Sequence, residues 1–410
     1  DIIIPSSVTE IGDDAFSECT NLTNVTLPDG LTSIGEGVFY NCTKLSEINI
    51  PKKITAINNA TFSGCVSLRN MIIPDNIQSI GVRAFEYCSH LTITIPETVT
   101  SIGSQAFRNN ADLTIAMSGN LLDNALFSDC ENLRITLSDG STFIKESALT
   151  NCSGLIEIHI PNSVSSIGAN AFHNCTNLKN IIPNKVTSIE ERTFIDCKEL
   201  VSVVIPNSVK SIGTEAFNGC SALKSIVLPE GMTLIKKWTF ADCSSLVDVT
   251  LPSTMTTLEY GAFENCTSLR SVTIPNSVNT VDAPFYGCSS LSDIKVPDYL
   301  YETSIFSGTG ITDITVPEGT TVVGSFADCT KLVSITFPEG IKALTDFSGC
   351  SSLRAIDIPD GVSVIGPGLF EHCTKLTKVT IPNSVVSLGW FAFHECSSLT
   401  RIVIPNHVAT

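Results

Sequence analysis

The sequence predicts a repeat solenoid, about 18 short coils stacked one on the next along a single continuous domain, residues 1–410. Three observations carry this. Proline recurs every 20–23 residues from Pro5 to Pro405, with Ser118 and Ser138 in the two vacant places. Between these marks the chain rewrites one sentence, P-x-x-V-x-x-I-G-x-x-A-F-x-x-C-x-x-L-x-x-V-x-I-P, clearest at residues 161–183 (PNSVSSIGANAFHNCTNLKNIIP). All 16 cysteines fall in one column of it. A unit this short cannot bury an apolar face alone, so its neighbours must complete the core.

Each piece of the unit has a local reason. The residues before each proline alternate, as in Val25-Thr26-Leu27 and Val272-Thr273-Ile274. Period two with β-branched residues predicts a short half-buried strand. Proline ends it, having no N–H to give. Polar pairs such as Asn162-Ser163 or Asp29-Gly30 follow and predict a turn. Val164 to Ile167 predicts a second extended piece. Gly168 follows; Asn58, Glu190, Lys236 and Glu259 replace glycine in other units, so a positive φ there is optional. Ala171, Phe172, Cys175 and Leu178 lie at i, i+1, i+4 and i+7, one face of a helix, and predict a helical turn or two. Phenylalanine fills its column in every unit except at Leu149. A strand spacing of ~4.8 Å per coil gives a rod on the order of 85 Å.

Of the 18 intervals, ten are 23 residues and four are 22, and the short ones fall in two stretches. Between 96 and 161 the proline is lost twice and Asn110 replaces cysteine; between 297 and 359 units shrink to 20 and 21 and the cysteine after Phe306 is missing. Both stretches read as drift in repeat length that trims a loop or alters curvature. No polar cap is recognisable at either end, so the chain is expected to be a piece of a longer protein.

Net charge is −17, from 24 basic and 41 acidic residues. That balance argues against nucleic acid or an anionic membrane as the main partner, and no apolar run is long enough to insert in a membrane. There is no G-x-S-x-G, H-E-x-x-H or G-x-x-x-x-G-K-[ST], and no enzyme activity, cofactor or metal site is expected. The cysteines lack C-x-x-C spacing. Adjacent coils would bring them within disulfide reach, yet their place beside Phe and Leu favours a reduced packing column. His90, His159, His173, His372, His394 and His407 share no single column, with His372 and His394 offset by one, and read as solvated surface. Seven N-x-[ST] sequons (Asn21, Asn24, Asn41, Asn59, Asn151, Asn174, Asn265) read as by-products of an Asn- and Thr-rich repeat.

The repeat closely resembles the BspA-like leucine-rich repeats, whose 23-residue units end in A-F-x-x-C, and the resemblance covers essentially the whole chain. It implies a right-handed leucine-rich-repeat solenoid with a parallel β-sheet on the concave face. It also implies an extracellular or cell-surface protein of anaerobic or mucosal bacteria or of parasitic protists, adhering to host matrix or to other cells. The expected partner is a host matrix or surface protein, or a glycan; the second reading is a structural spacer that presents another domain.

The outward strand column supplies the candidate binding residues. Most entries are Thr or polar, but Ile181, Val204 and Val227 are consecutive apolar exceptions. An exposed apolar strip marks interaction sites, though β-propensity alone also places such residues on a sheet face. Lys179 and His159 are polar neighbours of the strip. Trp238 and Tyr260, near the start of the Phe segment on adjacent coils, are read as exposed aromatic anchors.

Overall fold

A computed structural model describes residues 1–179 and 185–408. The fold is a parallel β-solenoid of about 17 turns with almost no helix. The chain divides into two compact units, residues 1–209 and 210–410. The same coil plan serves in each.

The strand before the proline forms as the period-two pattern requires. In the first unit Ile2–Ile3, Asn24–Thr26 and Glu47–Ile48 pair in parallel, Ile2 opposite Val25 and Val25 opposite Ile48. In the second, Ser225–Val227 pairs with Asp248–Thr250, and Ala355–Asp357 with Lys378–Thr380. The middle residue of such strands is buried and its neighbours exposed. Residues 201–206 form no paired strand, yet Val203 and Ile205 stay buried while Val204 projects outward. Proline then opens the predicted turn: the Pro161 carbonyl accepts from the Val164 N–H at 3.1 Å, and Ser138 does the same for Ser141 at 2.9 Å. The second extended piece is a second parallel set, with Ala56–Ile57, Ser79–Ile80 and Ser101–Ile102 side by side.

The predicted helical turn is not a helix. The i→i+3 bonds exist, such as His173 N–H to Asn170 C=O and Cys175 N–H to Phe172 C=O, both 3.1 Å. They alternate, however, with bonds to the next coil: Gly37 N–H to Asn59 C=O, Phe39 to Thr61 and Asn41 to Ser63, at 2.9, 2.9 and 2.8 Å. Gly368, Phe370 and His372 repeat this in the second unit. The backbone can turn its amides alternately inward and forward only by visiting the left-handed region. In typical coils it does so two residues before and two after the phenylalanine: Asn170 and Asn174 (φ 57°), Trp238 and Asp242 (φ 52° and 56°). The second of these positions, just before the cysteine, holds mostly Asn, Asp or Gly, the residues that tolerate it best. Successive i→i+3 turns therefore form a third bonded column between coils, and the apolar i, i+1, i+4, i+7 spacing is that of the turns.

Glycine in the Gly168 column is also explained differently from the expectation. Its φ is not positive; a Cβ would sit 2.5 Å from the Glu146 amide nitrogen of the preceding coil, and at Gly103 it would meet Val82 in the same way. The column marks close approach of two backbones.

Phenylalanines stack down the core. In the first unit, Phe16, Phe39, Phe62, Phe85, Phe107 and Phe127 follow one another at ring-centroid distances of 5.4–6.0 Å. In the second, Phe240 lies 5.4 Å from both Phe217 and Phe263. The cysteines are free, and all but Cys19, in the first coil, are buried. Their thiols donate to the carbonyl of the phenylalanine one coil back: Cys65 to Phe39, Cys88 to Phe62 and Cys266 to Phe240, each at 3.2 Å. Where cysteine is lost, the replacements differ. Asn110 Nδ2 donates one coil back, to the Phe85 carbonyl at 3.1 Å, whereas Thr309 Oγ1 donates within its own coil, to the Phe306 carbonyl at 2.6 Å.

The two irregular stretches trim turns. Short 3₁₀ segments, Gly119–Leu121, Asn124–Phe127 and Asp298–Glu302, replace regular pieces. In the shortened units Val322–Ser325 and Ala343–Asp346 run on as four-residue strands, and the left-handed residue before Phe326 and Phe347 is absent.

Candidate functional site

The outward strand residues lie on the sheet face, and within each unit they line a shallow groove. In the first unit its walls include Asn24, Thr26, Glu47, Asn49, Arg69 and Ile72. Asn49 is tied to the backbone of the previous coil: its Oδ1 accepts from Leu27 N–H at 2.9 Å and its Nδ2 donates to Leu27 C=O at 3.0 Å. Ile72, 83% exposed, supplies an apolar point among these polar groups. In the second unit Thr336, Phe337, Glu339, Asp357 and Thr380 line the corresponding groove. Thr380 donates to Asp357 at 2.5 Å, and Lys378 Nζ lies 3.7 Å from the same carboxylate. Proline turns, Pro74 in one groove and Pro338, Pro359 and Pro382 in the other, form part of the lining.

Of the residues expected from sequence, Ile181 lies outside the described residues. Val204, in the first unit, is 80% exposed, and Val227, in the second, is 64% exposed. Lys179 is exposed. His159, at the end of strand Leu155–His159, is exposed and lines a small hollow with Asp139, Pro161 and Lys185. Trp238 and Tyr260 pack against each other edge to face at 5.8 Å and are half-buried rather than exposed. The indole N–H donates to Glu264 at 2.8 Å, and Gly261 is free of the Cβ that would press on the indole at 2.8 Å. In the same two columns, Trp390 and Phe391 are exposed, 83% and 63%.

Two of the histidines read as solvated surface, His372 and His394, are exposed and also pair with carboxylates. Glu371 and His394 occupy the column just after Phe, and His372 and Glu395 the next. The one-residue offset thus sets each imidazole on a carboxylate of the adjacent coil. His394 Nδ1 lies 3.0 Å from Glu371 Oε1, and His372 Nδ1 lies 2.9 Å from Glu395 Oε2. The rings of His372 and His394 are 5.9 Å apart. The signal was present as F-E-H-C followed by F-H-E-C. The groove residues left no such signal, because each is an ordinary entry in a polar column.

Among the described residues no helix is long and apolar enough to cross a membrane. A family model of the BspA type leucine-rich repeat region, six copies long, matches residues 1–114, 111–224, 211–325 and 301–410. Similar solved structures include a leucine-rich repeat protein from Bacteroides ovatus, 26% identical, with a TM-score of 0.35, covering 97% of this chain and 85% of its own. A leucine-rich cell surface protein from Faecalibacterium prausnitzii is 30% identical with a TM-score of 0.34, covering 82% of this chain and 86% of its own. One from Eubacterium ventriosum is 23% identical with a TM-score of 0.37, covering 78% and 84%. No curated protein matches the chain.

Proposed function

The chain belongs to the BspA-type leucine-rich repeat family, and from that premise we propose that it is a non-enzymatic binding module of a cell-surface or secreted protein. In this reading it adheres through its sheet face to a host matrix protein, another cell's surface protein or a glycan. The observation that carries the reading is the composition of that face. Its outward column offers amides, hydroxyls and carboxylates held by bonds between coils, with single exposed apolar residues among them: Ile72 in the first unit and Val227 in the second. Polar groups already held in place bind with little ordering cost, and an apolar point supplies a desolvated anchor.

The test is capture of immobilised matrix proteins and glycans by the wild-type chain, by Ile72→Thr with Arg69→Ala, and by Val204→Thr with Val227→Thr. The column already uses threonine, so folding should survive. Capture by the wild type that falls at least tenfold in one of the paired variants supports the sheet face. Undiminished capture by both removes it. A chain that captures nothing, in a parent protein whose activity tracks only the number of repeats, is a spacer.

A further inference from the structure

We propose that Glu371, His372 and His394 form a zinc-class divalent metal site on the surface of the second unit, with Glu395 as its supporting carboxylate. The candidate ligand atoms of the first three residues all lie within 4.8 Å of one another. Glu371 Oε1 is 3.7 Å from His372 Nε2 and 3.0 Å from His394 Nδ1. Bonds of 2.0–2.2 Å from a tetrahedral zinc ion to nitrogen and oxygen place ligand atoms about 3.3–3.5 Å apart. These two edges bracket that value, and the imidazole-to-imidazole edge lies within 4.8 Å, so side-chain rotations are what would close the site.

Glu395 is what distinguishes this group from a chance cluster. His372 holds its Nδ1 against Glu395 at 2.9 Å. With the proton on Nδ1 donated to that carboxylate, the Nε2 lone pair is presented toward Glu371. Metal-bound histidines characteristically have their second nitrogen occupied in this way, which fixes the tautomer and raises the basicity of the ligating nitrogen. Phe391 packs edge-on against His394 at 5.2 Å and limits its rotation. The backbone supports the arrangement as well: His372 N–H donates to His394 C=O at 2.8 Å, and the left-handed conformations of His372 and Glu395 (φ 60° and 56°) set where both side chains start. On metal binding the proton shared by His394 Nδ1 and Glu371 moves to the other imidazole nitrogen, and the ion takes its place.

Two imidazoles and one carboxylate suit zinc, and cobalt as its spectroscopic substitute, and do not suit calcium, which takes oxygen ligands. Both histidines are exposed and Glu371 is half-buried, so a fourth position remains open to water. The ion would tie together the two coils that contribute Phe370 and Phe393.

The experiment is a zinc titration of tag-free protein by calorimetry, with cobalt absorption spectra and X-ray absorption at bound zinc. The expected result is one site per chain with two imidazoles at the metal. That site is lost in His372→Ala and in His394→Gln, weakened about tenfold or more in Glu395→Gln, and unchanged in His90→Ala. Zinc should also raise the melting temperature of the wild type but not of His394→Gln. The proposal is overturned if the wild type takes up no zinc, if a His372→Ala/His394→Ala double variant keeps the site, or if the bound metal has no imidazole neighbour. The X-ray absorption result needs no variant and stands even if one misfolds.

Discussion

At Cys88 the repeat's cysteine column shows what it requires. The side chain is fully buried and its thiol donates to the Phe62 carbonyl. Cys88→Ser should keep the bond, whereas Cys88→Ala should lose the second of two bonds to a carbonyl that also accepts from the Cys65 N–H, at a cost of about 1 kcal/mol, read from denaturant midpoints. Asn110 does the same work less well, because its Oδ1 is buried with no partner; Asn110→Cys should gain about 1 kcal/mol. The column also gives a pH dependence. Burial pushes Cys42 and Cys130 up to about 11, and Cys88, Cys152, Cys329 and Cys373 up to about 12, from an ordinary 9.0. The folded chain favours the neutral thiol, so this contribution is whole below pH 9 and is lost as pH rises from 9 toward 12. Urea midpoints should hold steady at neutral pH and fall above 9. A Cys88→Ser/Cys152→Ser/Cys329→Ser variant should fall less steeply. The same column accounts for four sequons: in Asn41-Cys42-Thr43 the asparagine takes the left-handed turn (φ 54°), the cysteine donates to Phe16, and Thr43 Oγ1 reaches the Thr20 carbonyl. The sequence showed the column. It could not show the thiol's acceptor, which lies 26 residues away.

Among the elements, the strand, the proline turn and the second extended piece were legible because each rests on a local rule. The Phe segment was not. Its apolar spacing fits a helix and a string of i→i+3 turns equally, and the deciding fact is the set of forward bonds to the next coil. The signal was the run of Asn, Asp and Gly before cysteine, which fits left-handed backbone and has no use in a helix. This predicts a substitution pattern. Tyr87 occupies that position at φ 58°. Tyr87→Gly should hold or raise stability by up to about 1 kcal/mol, while Tyr87→Val should lower it by about 1–2 kcal/mol; a helix would rank the two in the opposite order. The histidine cluster is an element-scale property too. Its four residues lie in two neighbouring columns of two coils, and only the forward bond between His372 and His394 shows that the offset unites them.

Across the whole molecule the repeat was read almost completely, because one 23-residue sentence recurs with its apolar columns intact. The outward face was read as a polar column with an apolar strip and not as grooves, since grooves arise from adjacent coils and not from any single residue. Within each unit the strand pairings, forward bonds and ring stacks join a coil to its immediate neighbours, so stability should propagate along the stack. Phe263 is the residue to perturb: it is fully buried and stacks at 5.4 Å on Phe240 and 5.5 Å on Phe285. Phe263→Ala should open a cavity worth about 3–5 kcal/mol. Native-state hydrogen exchange, followed peptide by peptide, tests the stacked-coil account most directly. The account predicts that protection drops most around residues 240–288 and recovers with distance on either side. An equal loss of protection in every coil would mean that the chain folds around one shared core, and would contradict it.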